Sequence, residues 1–305
     1  MPTILIVGGY GNTGYLVAEL LLKHTDAALI LAGRNGEKAE AAASRLEAQH
    51  GGELEALRLD AGDEQQLKDA FARCDLAVFT ASTHKQLGSI VRVAIETRTD
   101  YLDTQLSIPH KVETLERHGN VFVQRGMTVI TDGGFHPGLP AALVRHAARH
   151  FDQLKVANVS SYMGIRWGEI ETSINTMEEF AEELNSFDAR VYRGRKWETI
   201  TLREWSSMAF DFGEGIGRRS CMPMYMHELE ALPAQIPSLE ETGFFISGFN
   251  WFTDNIATVL AMLATRMNIR WLTRLAGHFF FWSAGAFAKP PFVTVLQLEA
   301  DGIEQ

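Results

Sequence analysis

The stretch Thr3-Ile4-Leu5-Ile6-Val7-Gly8-Gly9-Tyr10-Gly11-Asn12-Thr13-Gly14 decides the fold. Its first five residues form an unbroken apolar run, the pattern of a parallel strand buried on both faces. The glycines follow at once, as G-x-G-x-x-G from Gly9 or G-x-x-G-x-x-G from Gly8. Residues 15–23 then put Leu16, Val17, Leu20 and Leu21 on one side, which predicts an amphipathic helix. Strand, glycine turn and helix in this order present free N–H groups at a helix N-terminus, where a pyrophosphate binds. In that arrangement Gly9 makes the tight turn, Gly11 lets backbone approach the phosphates, and Gly14 lets helix pack on strand. Gly8, Asn12 and Thr13 complete the loop. The expectation is a dinucleotide site; a glycine turn in a generic α/β fold is the plainer alternative.

Outward from this loop, strand and helix patterns alternate. Strands are predicted at 28–32, 54–59, 76–81, 101–103 and 127–131. Helices are predicted at 37–50, 63–73, 85–98 and 109–126, with Asp63 and Pro109 as start signals and Gly126 as a stop. Such alternation implies right-handed crossovers and a doubly wound parallel sheet of Rossmann type over residues 1–135. Ligands of such sheets bind at the carboxyl ends of the strands. The second strand ends in Gly33-Arg34-Asn35, with a guanidinium where an NAD site usually has a carboxylate. Arg34, seconded by Asn35, therefore points to the 2′-phosphate of NADP rather than to NAD. Asp60 and Ala61 fall near the adenine, though Asp60 could equally cap a helix. Ala81 and Ser82 fall near the nicotinamide ribose, and Gly134 near the nicotinamide.

Residues 136–305 read differently. A helix at 139–150 leads into a long strand at 154–163, a helical segment at 178–185, a hairpin at 190–199 looping through 193–196, and strands at 244–249 and 292–300. This predicts an α+β substrate domain on a mixed or antiparallel sheet. Residues 242–292 are unusually aromatic. Core plus subunit interface is the favoured reading, with a substrate tunnel or a membrane-surface face as sharper ones. Arg266, Arg270 and Arg274, four residues apart, would line one helical stripe.

Composition narrows the classes. Lys and Arg number 28 against 38 Asp and Glu, a net charge of −10, so nucleic acid is not an expected partner. The two cysteines make no disulfide framework, and no basic segment precedes the first apolar run, so a cytoplasmic location is expected. No run is long enough to span a bilayer, and a membrane is not an expected partner. The histidines lack ligand spacing apart from His146 and His150, so no metal is expected.

The opening I-L-I-V-G-G-Y-G-N-T-G, the A-G-R-N at 32–35, the L-D-A-G-D at 59–63, Tyr101-x-Asp103 and Gly134-Phe135-His136-Pro137-Gly138-Leu139-Pro140 resemble the saccharopine dehydrogenase-like NAD(P)-binding oxidoreductases. The resemblance implies hydride transfer between the nicotinamide and a small carbonyl or imine, C–N bond chemistry, in a homodimer. Relatives continue beyond the position of Gln305, so a C-terminally shortened chain is expected. Two loops depart from the family pattern: Gln105-Leu106 replace a Gly-Glu, and Ser82-Thr83-His84-Lys85 replace a small, Pro-containing loop. For the proton that accompanies the hydride, His136 is the first candidate, His84 the second, and Asp103 with Tyr101 the third. Arg218 and Arg219, in a glycine-rich stretch, are candidates to clamp a substrate carboxylate. A catalytically silent NADPH-binding sensor or scaffold is the alternative.

Overall fold

The apolar runs of the first half become one six-stranded sheet. In the computed structural model, residues 1–169, 187–201, 204, 208–267 and 269–304 are described. The chain divides into two units, Met1–Gly138 and Leu139–Gln305. The first runs β1 (Thr3–Val7), α1 (Asn12–His24), β2 (Ala28–Gly33), α2 (Gly36–His50), β3 (Leu54–Arg58), α3 (Glu64–Phe71), β4 (Leu76–Phe79), α4 (Leu87–Thr97), β5 (Asp100–Asp103), α5 (Pro109–Arg125) and β6 (Val129–Ile130).

All its strands are parallel, in the order β3-β2-β1-β4-β5-β6, the doubly wound order of a dinucleotide-binding domain. Alternation along β1 explains its apolar run. Ile4 and Ile6 pack with Leu29, Leu31, Ala18 of α1 and Leu46 of α2 on one face. Leu5 and Val7 pack with Ile30, Phe79, Phe71 of α3 and Ile90 of α4 on the other. Asp63 caps α3, its Oδ1 accepting from Gln65 N at 3.0 Å and Gln66 N at 3.1 Å. Gly126 ends α5 at φ +67°.

Two local expectations are corrected. The inward face of α1 is Gly14 and Ala18 rather than the leucine pair, and Leu16 and Leu20 stand 57% and 55% exposed. Small residues four apart let the helix lie close on the sheet, which turns the larger pair outward. The helix expected at 85–98 begins instead with one 3-10 turn, His84–Gln86, before α4.

The second unit runs α6 (Leu139–Ala147), β7 (Phe151–Met163), β8 (Arg190–Arg193), β9 (Lys196–Thr199), β10 (Ala209–Asp211), β11 (Arg218–Ser220), β12 (Met222–Pro223), β13 (Glu241–Ser247), α7 (Thr258–Arg266), α8 (Arg270–Ala286) and β14 (Thr294–Glu304). Its sheet, β14-β7-β13-β8-β9 with β12 also on β13, is mixed: β7 and β13 pair in parallel, and the other pairs are antiparallel. The hairpin turn is tighter than expected. Only Gly194 (φ +58°) and Arg195 (φ +65°) lie between β8 and β9, and two positive φ values match the right-handed twist of the strands. The helix expected at 178–185 lies outside the described residues. Arg266 and Arg274 stand on two successive helices, so the three arginines share no single helical stripe.

Candidate functional site

The loop between β1 and α1 is built on contacts that only glycine tolerates. Gly8 turns the chain at φ +92°, and a Cβ there would meet Ala81 Cβ, Ala81 N and Thr80 Oγ1, each at 2.9 Å. The tight turn thus belongs to Gly8, not Gly9. Gly9 instead lies against Leu31 of β2, with Cα 3.1 Å from a would-be Cβ. A Cβ on Gly14 would stand 2.3 Å from Gly8 O, so α1 begins pressed against the turn. Around Gly11 the only near atom is Gly8 O at 3.2 Å, and Gly11, Asn12 and Thr13 are exposed. No side chain caps α1. Its first N–H groups and the positive end of its dipole face an open loop that fits an anion.

The ends of β2 and β3 bring charge to this edge. Arg34 is exposed directly beyond β2, and Asn35 caps α2, accepting from Lys38 N at 3.0 Å. Tyr10 covers Gly33 so closely that a Cβ there would lie 2.4 Å from its ring, and its hydroxyl accepts from Asn35 N at 3.2 Å. The glycine loop and the Arg34 loop are therefore fastened together. Arg58, absent from the sequence expectations, pairs with Gly33 in the strand register. Its Cβ lies 3.5 Å from a would-be Cβ on Gly36. Arg58 is exposed, and among the described residues no carboxylate pairs with Arg34 or Arg58. Arg58 could have been found as the cation two residues before Asp60. Asp60 shapes its own turn, its Oδ1 accepting from Gly62 N at 2.9 Å, while Ala61 is half-buried against the core.

At the ends of β4, β5 and β6 the polar groups are buried. Thr80, beside Ala81, donates to Val7 O at 3.1 Å and holds β4 on the glycine loop. Ser82 is exposed. The loops that follow β4 and β5 are partners. Gln105 Oε1 accepts from Thr83 N at 3.0 Å, and its Nε2 donates to Thr83 Oγ1 at 3.1 Å. This amide clamp holds the segment leading into His84.

Sequence reasoning missed the charge beneath that clamp. Lys111 is 1% exposed, and its Nζ donates to Asp103 Oδ1 at 2.6 Å, to Asp132 Oδ1 at 3.3 Å and to Gln105 O. All three of its N–H donors are used. Asp103 also accepts from the Tyr101 hydroxyl at 2.6 Å, from Gln105 N at 3.0 Å and from Thr131 Oγ1 at 3.3 Å. Burial, then the neighbouring Asp103, push the Tyr101 phenol well above its usual range, so it stays protonated and donates. Asp103 is wholly buried and anchors the loops that follow β5 and β6. Asp132 takes Ser107 Oγ at 2.6 Å and adopts φ +58°. It opens the loop that carries Gly134 and His136, where Gly134 N donates to Asp132 O and Pro137 O, both at 2.9 Å. His136 is half-buried against Phe135, ring centroids 5.1 Å apart, and burial holds its imidazole below the usual histidine range.

In the second unit Arg218 and Arg219 are exposed on β11. Arg218 is opposite Asp211, and Arg219 lies 5.7 Å over the Tyr162 ring. Burial pushes both the Cys74 and Cys221 thiols up to about 12, which disfavours the nucleophilic thiolate. Among the described residues no group of three or more His, Cys, Asp or Glu is placed to hold a metal ion.

The donor set at the first edge fits a dinucleotide with a 2′-phosphate: an uncapped helix start behind glycines for the pyrophosphate, and two exposed guanidinium groups with no acid at the second strand's end. Comparison with known proteins agrees. Residues 4–130 match the family model described as the saccharopine dehydrogenase NADP-binding domain. The chain is 24% identical over 283 residues to carboxyaminopropylagmatine dehydrogenase of Synechocystis, covering 88% of this chain and 68% of that one. It superposes on saccharopine dehydrogenase (L-Glu forming) of Saccharomyces cerevisiae with a TM-score of 0.57 and 21% identity, over 80% of this chain and 55% of that chain. The chain thus spans little more than half of that yeast enzyme. Residues 4–130 thus match an NADP-binding domain, and the chain as a whole is similar to both dehydrogenases.

Proposed function

We propose that the protein is an NADP-dependent oxidoreductase that reduces a small imine or carbonyl, or oxidises the matching amine, at a C–N bond. The observation that carries this reading is the edge that couples an uncapped α1 start to Arg34 and Arg58, within a domain matching an NADP-binding family. Both relatives bear the names of dehydrogenases, for saccharopine and for carboxyaminopropylagmatine, which supports an amine as the class of substrate. Backbone N–H groups from Gly11 to Gly14 would hold the pyrophosphate, Arg34 and Arg58 the 2′-phosphate, and Asp60 and Ala61 would flank the adenine. Ala81, Ser82 and Gly134 would flank the nicotinamide ribose and ring. The cofactor supplies the hydride.

This chain must then manage one proton. His136, its imidazole held neutral by burial, accepts a proton from the amine nitrogen in the oxidising direction and returns it in the reducing direction. His84 is the alternative carrier, and the Lys111–Asp103–Asp132 cluster positions the loops of both. Arg218 and Arg219 are proposed to clamp a substrate carboxylate. A cytoplasmic homodimer completes the proposal, and sedimentation tests the dimer.

Stereospecifically deuterated NADPH, offered with a panel of imines and oxo acids paired with amines, tests the function. Deuterium in the product amine is the expected result. Tight NADPH binding without transfer to any of them would instead identify a cofactor-binding sensor.

A further inference from the structure

The helical pair α7 and α8 buries Phe280 but leaves a row of other large side chains outside. Leu260, Leu263 and Met267, at helical spacing, are 48%, 52% and 59% exposed. Trp271, Leu275 and Trp282 follow along one side of α8 at 67%, 58% and 57%. The sides where the two helices meet are small: Ala261, Ala264 and Ala276 are buried with Leu272 packed on them. Thr273 Oγ1 lies 3.5 Å from Ala264 O, so the helices run back along each other as a hairpin. Amphipathic helices of a soluble core bury their bulky side and expose charge. Here the side between the two helices is small, and beside the buried Phe280 a bulky apolar row faces out.

Charge decides what covers it. Between Asp254 and Glu299 the chain has no acidic residue, while Arg266, Arg270, Arg274 and Lys289 all lie there, in a chain whose net charge is −10. Arg266 is exposed at the end of α7, beside Met267, and Trp271 is exposed in the first turn of α8. A second copy seated on this face by two-fold symmetry would bring together two basic stretches, with no acidic residue from 255–298 to pair them. Exposed leucines have no use against a nucleic-acid backbone. An anionic bilayer surface satisfies both features. Tryptophan rings settle at the headgroup level, leucine and methionine enter the acyl boundary, and arginines pair with lipid phosphates. Among the described residues no helix is long and apolar enough to cross a membrane, so a hairpin that meets a bilayer would lie along its surface.

We propose that the α7–α8 hairpin is a monotopic docking surface for an anionic lipid bilayer. Flotation of the full chain with vesicles of phosphatidylcholine, alone or with phosphatidylglycerol added, tests this. The expected result is co-flotation with the anionic vesicles at least about tenfold above the neutral ones, weakened by salt. Trp271→Ser with Leu275→Ser should lose at least about tenfold of that binding while NADPH binding in the other unit stays unchanged. Arg266→Glu should lose less. No uptake by anionic vesicles overturns the proposal, as does equal uptake by neutral ones. A dimer in sedimentation that Trp271→Glu splits, with no vesicle binding, overturns it in favour of a second copy.

Discussion

The two units break the usual partition of residues in opposite directions. In the first, a lysine and two aspartates are sealed inside, and each of these charges has partners. In the second, leucines and tryptophans of a helical pair are left outside. A buried ion cluster is a poor source of stability, because desolvation offsets most of the Coulomb gain. What it supplies is position. Lys111 reaches from the first turn of α5 to the ends of β5 and β6 and so sets where the loops bearing Gln105 and His136 leave the sheet. An exposed apolar face is a poor surface for a free protein, and what it supplies is adhesion. One irregularity serves the precision of a site and the other its address.

The largest expected effect strikes the buried cluster. Lys111→Met should destabilise the N-terminal unit by about 3–5 kcal/mol, read from the denaturant midpoint, because it strands two carboxylates in the interior. Adding Asp103→Asn and Asp132→Asn should recover much of that loss. If Lys111→Met alone is silent, the first half of the contrast fails.

His136 comes next. His136→Asn should lower kcat about 10²- to 10⁴-fold in the deuterium-transfer assay, the usual range for a positioned acid–base group. In wild type, amine oxidation should weaken as pH falls through the depressed His136 value. Stability carries the same sign. The folded-state value lies below the ordinary histidine value of about 6.5, so the unfolded chain binds the proton more readily. His136's contribution to stability is fully present above about pH 6.5 and is lost as pH drops below it.

A smaller effect probes the open edge, where charge is outside. Arg34→Ala should raise the NADPH dissociation constant by about 10- to 150-fold, the worth of a charge-assisted hydrogen bond of about 1.5–3 kcal/mol. NADH binding should hardly change. Arg58→Ala should move NADPH in the same direction by a lesser factor. Equal losses for both nucleotides would place these arginines away from the 2′-phosphate.

What could be read beforehand was local. Strand, glycine turn and helix lie within 24 residues of one another, and the five apolar residues of β1 state that both of its faces are buried. Arg34 could be read because it directly follows a strand. The turn glycine was misplaced by one, since only the nearness of Thr80 and Ala81, some 70 residues on, singles out Gly8. The face of α1 was misread because leucine outranks glycine and alanine in any apolar pattern, whereas closeness to the sheet favours the small pair. Lys111 left no local trace: a lysine in the first turn of a helix reads as solvated, and its carboxylates come from two separate strand ends.

The smallest prediction concerns a contact that could be read only as a pair of oddities. Gln105 and Thr83 each stand in a loop that the sequence singles out as departing from the pattern it resembles, and the structure joins them through two hydrogen bonds. If the two departures arose as a matched set, they should couple energetically. Gln105→Leu strands the N–H and hydroxyl of Thr83, a residue 5% exposed, and should cost about 1–3 kcal/mol. Thr83→Val removes one of the two bonds and should cost about 1 kcal/mol. The double variant should then cost less than the sum by roughly 1 kcal/mol, the interaction term of a double-mutant cycle for contacting residues. Strict additivity would mean that each loop is held by its own backbone. The clamp would then be incidental, and the position of His84 would owe nothing to Gln105.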